Sequence, residues 1–162
     1  MRKPVGWLTA LVLILGLVGC ATPPLTPAPG PEVTPRAAVT EALPTAEQVW
    51  GGVIVQVQNL PAHTRLEVVS YPLRNQEPQT GRMTDGRFLL EVPGFLDPVD
   101  YRTGRRITAR GVVERSEPGS IGEVGYVFPV LVASEVHLWP ELPVGVYDTG
   151  RFRFGIGIGI GL

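Results

Sequence analysis

Gly51-Gly52-Val53-Ile54-Val55-Gln56-Val57-Gln58-Asn59 is the stretch that decides the fold. Its β-branched residues favour extended backbone, and strand periodicity puts Val53, Val55 and Val57 on one face and Ile54, Gln56 and Gln58 on the other. The pattern recurs outward from there. In 64–71, Leu66 and Val68 stand against Glu67 and Val69; in 86–92, Phe88, Leu90 and Val92 stand against Arg87, Leu89 and Glu91. In 106–113, Ile107, Ala109, Gly111 and Val113 oppose Arg106, Thr108 and Arg110, while 126–133 is mostly apolar and 135–139 reads as a further short strand. Turn signals separate these runs: Asn59-Leu60-Pro61, Asp85-Gly86, Pro93-Gly94, Thr103-Gly104 and Pro118-Gly119. Short strands at regular spacing, without a long amphipathic helix, predict an all-β fold. Five or six strands in so short a chain leave unpaired edges unless the sheet closes, which points to a small antiparallel barrel of OB-like topology.

Before the strands, the chain changes character twice. Arg2 and Lys3 precede an apolar run from Val5 to Val18, which ends in Leu17-Val18-Gly19-Cys20. The run is short for a membrane span, and small residues precede the cysteine, as signal peptidase cleavage requires. Residues 1–19 therefore read as a lipoprotein signal peptide, and Cys20 as the lipidated N-terminus of the mature chain. Each buried methylene adds about 0.8 kcal/mol, and one acyl chain binds only reversibly, so two or three chains make a lasting anchor. Ala21 follows Cys20; an aspartate there commonly retains such proteins in the inner membrane, so the expected address is the outer membrane, facing the periplasm. Residues 20–43 hold Pro23, Pro24, Pro27, Pro29, Pro31 and Pro35 and read as an extended tether, at about 3.1 Å per residue where it is polyproline-like. Thr45 and Gln48 have capping-box spacing, which predicts one helical turn from 44 to 49.

Composition narrows the function. The 162 residues leave room for one small domain, 44–143. The formal net charge is −1, and Lys3 is the only lysine, so nucleic acid is not an expected partner. Cys20 is the only cysteine, so the mature domain holds by packing without an intramolecular disulfide.

A family resemblance is carried by a series of short motifs. They are Trp50-Gly51-Gly52-Val53-Ile54, Thr64-Arg65-Leu66-Glu67-Val68 running into Ser70-Tyr71-Pro72-Leu73, Gly86-Arg87-Phe88, and Asp97-Pro98-Val99-Asp100-Tyr101. Gly104-Arg105-Arg106-Ile107-Thr108, Ile121-Gly122-Glu123, Tyr126-Val127-Phe128-Pro129-Val130 and Leu138-Trp139 follow in order. Together they resemble the Slp family of starvation-inducible outer-membrane lipoproteins. The resemblance implies an outer-membrane location, an association with starvation or stationary phase, and a role in stabilising the envelope. It supplies no catalytic residues.

The side chains themselves offer few sites. His63 and His137 are the only histidines, and a metal centre is not expected from two histidines without a cysteine. No Gly-x-Ser-x-Gly elbow occurs. Asp97 and Asp100 are the sole acid–base candidates, and their setting beside Pro98 also reads as turn chemistry. Arg102, Arg105, Arg106 and Arg110 form the candidate ligand-binding cluster, because guanidinium forks suit phosphate or carboxylate; the alternative is a solvated strand face. Trp50 and Trp139 read as core residues or barrel-end plugs, with a membrane interface as the other setting that suits tryptophan. Residues 144–162 form a Gly/Ile-rich tail in which Phe152, Phe154, Ile156, Ile158, Ile160 and Leu162 alternate with Arg153 and glycines. A flexible tail, a docked edge strand and a partner-binding or membrane-associated segment are all compatible with that period. The reading is thus a non-enzymatic, lipid-anchored outer-membrane protein that supports envelope integrity, with no cofactor besides the covalent lipid on Cys20. The alternative is a binding module for lipopolysaccharide, peptidoglycan or an envelope assembly protein.

Overall fold

The computed structural model describes residues 22–141. Cys20 and the 144–162 tail lie outside the described residues. Seven strands follow one short helix: α1 (Pro35–Thr40), β1 (Gln48–Asn59), β2 (His63–Ser70), β3 (Leu73–Arg74), β4 (Glu77–Pro78), β5 (Arg87–Pro93), β6 (Arg106–Ile121) and β7 (Val124–Leu138). Five of the strands close into a barrel in the order β1-β2-β5-β7-β6, with β6 returning to β1. Four seams are antiparallel and β5–β7 is parallel. That order and its one parallel seam are the connectivity of an OB barrel.

Closure depends on β1, which pairs with β6 through Gln48–Val53 and with β2 through Gly52–Asn59. The shared residues are Gly52 and Val53, with Gly51 directly beside them. A Cβ on Gly52 would stand 1.9 Å from the Val69 carbonyl oxygen, and one on Gly51 2.6 Å from Thr108 Oγ1, so only glycine lets three strands converge there. A bulge between Ile54 and Gln56 then shifts the register. The expected face of Val53, Val55 and Val57 is corrected by this bulge. Trp50 and Ile54 are buried, and Val57, beyond the bulge, packs on the same core. The faces of β2 and β5 and of β6 as far as Val113 are as the alternation predicts: Leu66, Val68, Phe88, Leu90 and Ile107 are all fully buried.

Trp50 closes one end of the barrel. Its ring meets Phe88 edge-on at 5.2 Å, and its Nε1 donates to the Val33 carbonyl at 2.7 Å. At the other end, Leu96 and Tyr101 of the 94–105 loop pack on the core. Thr64 Oγ1, fully buried, accepts from the Leu96 amide at 2.9 Å and fixes that loop.

Two local expectations are corrected. No helical turn forms at 44–49, because Gln48 begins β1 and spends its amide on the preceding chain, accepting from Val33 N at 2.8 Å and donating to Pro31 O at 3.3 Å. Nor is Pro118-Gly119 a turn: Pro118 pairs with Val127, and the reversal falls at Gly122-Glu123, where Gly122 has φ +61°. Proline is tolerated there because this part of the hairpin extends past the other barrel strands, so its amide side needs no partner.

The proline-rich stretch is also not an extended spacer in the described residues. It is a strap laid along the barrel. The Gln76 side chain accepts from Leu25 N (2.8 Å) and donates to Leu25 O (3.0 Å); Glu135 Oε2 accepts from Thr26 N (3.1 Å); Gln48 and Trp50 hold 31–33. Leu25 and Ala38 are buried. Thr34 caps α1 by accepting from Ala37 N at 3.2 Å, with Pro35 in the first turn, so prolines here start a helix and satisfy a docked chain.

Candidate functional site

The four arginines singled out by sequence fall into two places. Arg102, Arg105 and Arg106 line a cleft of about 380 Å³ with Val53, Thr80 and Glu141. Arg102 reaches Glu141 at 2.5 Å; Arg105 donates to the Asp100 carbonyl at 2.8 Å and the Trp139 carbonyl at 3.1 Å; Arg106 pairs with Glu77 and donates to the Pro140 carbonyl at 3.1 Å. Arg110 lies apart, between Glu47 and Glu135, and its pairing with these carboxylates raises its pKa further, Glu135 first. The structure therefore does not bring the four together as a single anion site. Their charges are met largely by the chain's own carboxylates and carbonyls, and a rim pair as exposed as Arg102–Glu141 adds little stability.

Asp97 organises a turn: its carboxylate accepts from Val99 N at 2.8 Å, and its carbonyl accepts from the Asp100 and Tyr101 amides. Among the described residues no group of three or more His, Cys, Asp or Glu stands ready to hold a metal.

A second cleft was not foreseen from sequence. Before Val130, β7 has only β6 as a neighbour, and this two-stranded arm folds over the outer face of β1, β2 and β5. Gln56, Gln58, Arg65, Leu89, Glu117 and Phe128 are among the residues lining a groove of about 220 Å³ beneath it. This is the face on which OB barrels take oligomeric ligands. Its signal in the sequence was the pair Gln56 and Gln58, polar at strand positions beside a valine core; reading Pro118-Gly119 as a turn hid the arm that makes the groove.

Charge fastens the arm. Glu91, only 8% exposed, accepts from Arg65 of the adjacent strand at 2.5 Å and from Arg115 of the arm's base at 2.8 Å. Arg65 and Arg115 also both hold Glu117, and His63 Nε2 stands 3.5 Å from Glu91 Oε1. Burial alone would raise the Glu91 carboxyl, but the hydrogen bonds and charges of Arg115 and Arg65 outweigh it and hold its pKa below the usual carboxylate range. A depressed folded pKa gives stability that is complete above the unfolded value, about 4.5, and is lost as pH falls through the lower folded value. Acid unfolding is therefore expected to start below that value, and Glu91→Gln is expected to flatten it while costing about 1–2 kcal/mol at neutral pH, a figure kept low because Arg115 is partly solvated. Urea midpoints between pH 3 and 7 for the two chains check both effects.

The connectivity defines a class: small closed barrels of OB type. The chain belongs to the outer membrane lipoprotein Slp family, whose model matches residues 17–153. It is 34% identical over 131 residues to "Uncharacterized lipoprotein YeaY" of Escherichia coli strain K12, covering 77% of this chain and 67% of that protein. It is 33% identical over 109 residues to "Outer membrane protein Slp" of the same strain, covering 65% of this chain and 57% of that protein. An uncharacterized protein of Haemophilus influenzae is 33% identical over 91 residues, covering 55% and 49%. The chain thus spans about half to two thirds of these curated relatives, and none of their names denotes an enzyme. No solved structure matches it.

Proposed function

We propose that this outer-membrane lipoprotein is anchored by lipid on Cys20 in the periplasm-facing leaflet and supports envelope integrity in starvation or stationary phase without catalysing a reaction. The observation that supports the reading is the family match, whose range of residues 17–153 takes in Cys20 together with the barrel. The test is outer-membrane permeability to a hydrophobic dye in stationary-phase cells lacking the protein. Dye uptake is expected to rise on loss and to return to normal with the wild-type copy but not with Cys20→Ala. Unchanged uptake on loss rejects the integrity role.

The groove under the β6–β7 arm favours a second reading, a binding module for an envelope component. Its paired glutamines beside Leu89 suit a glycan or an extended peptide, whereas the arginine cluster is already occupied by glutamates. Pull-down of peptidoglycan fragments by the soluble domain, lost in Gln56→Ala/Gln58→Ala, would support it over a purely structural role.

A further inference from the structure

The described strap begins beside a recess of the barrel. Thr22 and Pro24 line a recess of about 590 Å³ with Arg74, Glu77, His137 and Trp139, and Leu25 is clamped at both backbone groups by Gln76. That clamp is built at a cost. Asn75 and Gln76 form the β3–β4 turn with φ of +50° and +64°, although neither is glycine, a conformation costing about 1 kcal/mol or more per residue. Gln76 is further pinned through its carbonyl, which accepts from Thr108 Oγ1 at 2.7 Å, and Trp139 Nε1 donates to the same hydroxyl at 2.9 Å. Cys20 is two residues from Thr22, so covalent reach alone keeps it within about 7 Å of this recess.

We propose that the barrel rests directly on the phospholipid headgroups of the outer membrane through the face formed by the β3–β4 hairpin and the end of β7. The inference rests on lipidation of Cys20. The face is continuous with the arginine cleft through the Arg106–Glu77 pair and the Trp139-Pro140 step. Together the two recesses carry Arg74, Arg102, Arg105 and Arg106 against Glu77 and Glu141, an excess of two positive charges. Charges within about one Debye length of anionic headgroups are attracted to them, and tryptophan suits the interface. The arm points away: Val124 at its tip is 71% exposed and lies roughly 45 Å along β7 from Leu138. The groove therefore faces the periplasm while the arginine cleft faces lipid.

Lipidation occupies the only native thiol, so a single introduced cysteine reports position. Full-length protein carrying Thr80→Cys or Val124→Cys, both exposed sites, is labelled with a fluorophore. The labelled chains are reconstituted in vesicles of phosphatidylethanolamine and phosphatidylglycerol containing a headgroup-spin-labelled lipid. Quenching is expected to be at least about fivefold stronger at position 80 than at position 124, given their separation. Equal quenching, or stronger quenching at 124, in chains shown by mass to be lipidated overturns this orientation alone. Chains with no lipid on Cys20 remove the anchor and this inference with it.

Discussion

Cys20→Ala, exported behind a leader whose cleavage needs no lipidated cysteine, is expected to move the protein almost entirely from the membrane pellet to the soluble periplasmic fraction, with the barrel still folded. The energetics leave little middle ground. Two or three acyl chains at about 0.8 kcal/mol per buried methylene hold a protein on a bilayer for long times, whereas the described domain has no helix long and apolar enough to cross a membrane. An excess of two positive charges on one face gives only weak, salt-sensitive adhesion, on the order of 1 kcal/mol per charge. Fractionation at low and high salt, with circular dichroism of the released protein, separates loss of the anchor from loss of the fold. A variant that remains in the pellet at high salt contradicts the assignment of Cys20.

Phe88→Ala carries the largest expected effect on stability. Phe88 is fully buried at the end of the barrel that Trp50 closes, in contact with that ring. Removing it deletes a large apolar side chain and leaves a cavity that a closed barrel cannot easily collapse, which costs about 3–5 kcal/mol. Small domains have about 5–15 kcal/mol in total, so the variant is expected to be marginal at 37 °C. Urea unfolding measures the loss. Trp50 reports it a second way: of the tryptophans among the described residues it is the one buried in the core, and its emission is expected to shift to the red as its neighbour disappears. A loss below about 1 kcal/mol would mean that the core is not organised around this pair.

Most of the barrel was legible because its strands alternate cleanly. Phe88, Leu90 and Val92 stand two apart between Arg87, Leu89 and Glu91, Ile107 and Ala109 stand two apart between Arg106, Thr108 and Arg110, and that period points to one inner face. β1 was harder. Val53, Ile54 and Val55 are apolar on both faces, so the bulge after Ile54 leaves no trace in the pattern, and the parity of Trp50 with Ile54 was the better guide. The strap was masked by its prolines. What docks it is the polar equipment of distant strands, Gln48, Gln76 and Glu135, and such pairings across 15 to 109 positions have no local signature. The same limit applied to the arginines. Sequence proximity grouped Arg110 with Arg102, Arg105 and Arg106, but β6 carries it to the register position opposite Glu135, away from Glu77 and Glu141, which hold the other three. Glu135 itself is held below the usual carboxylate range, first by the Thr26 amide and then by Arg110, so it belongs to the strap as much as to the sheet.

The most direct measurement is the mass of the N-terminal peptide of the mature protein recovered from outer-membrane vesicles. The account predicts a peptide beginning at Cys20 that carries a diacylglyceryl group and an amide-linked acyl chain. An unmodified cysteine, or a peptide that begins upstream of Cys20, would contradict it.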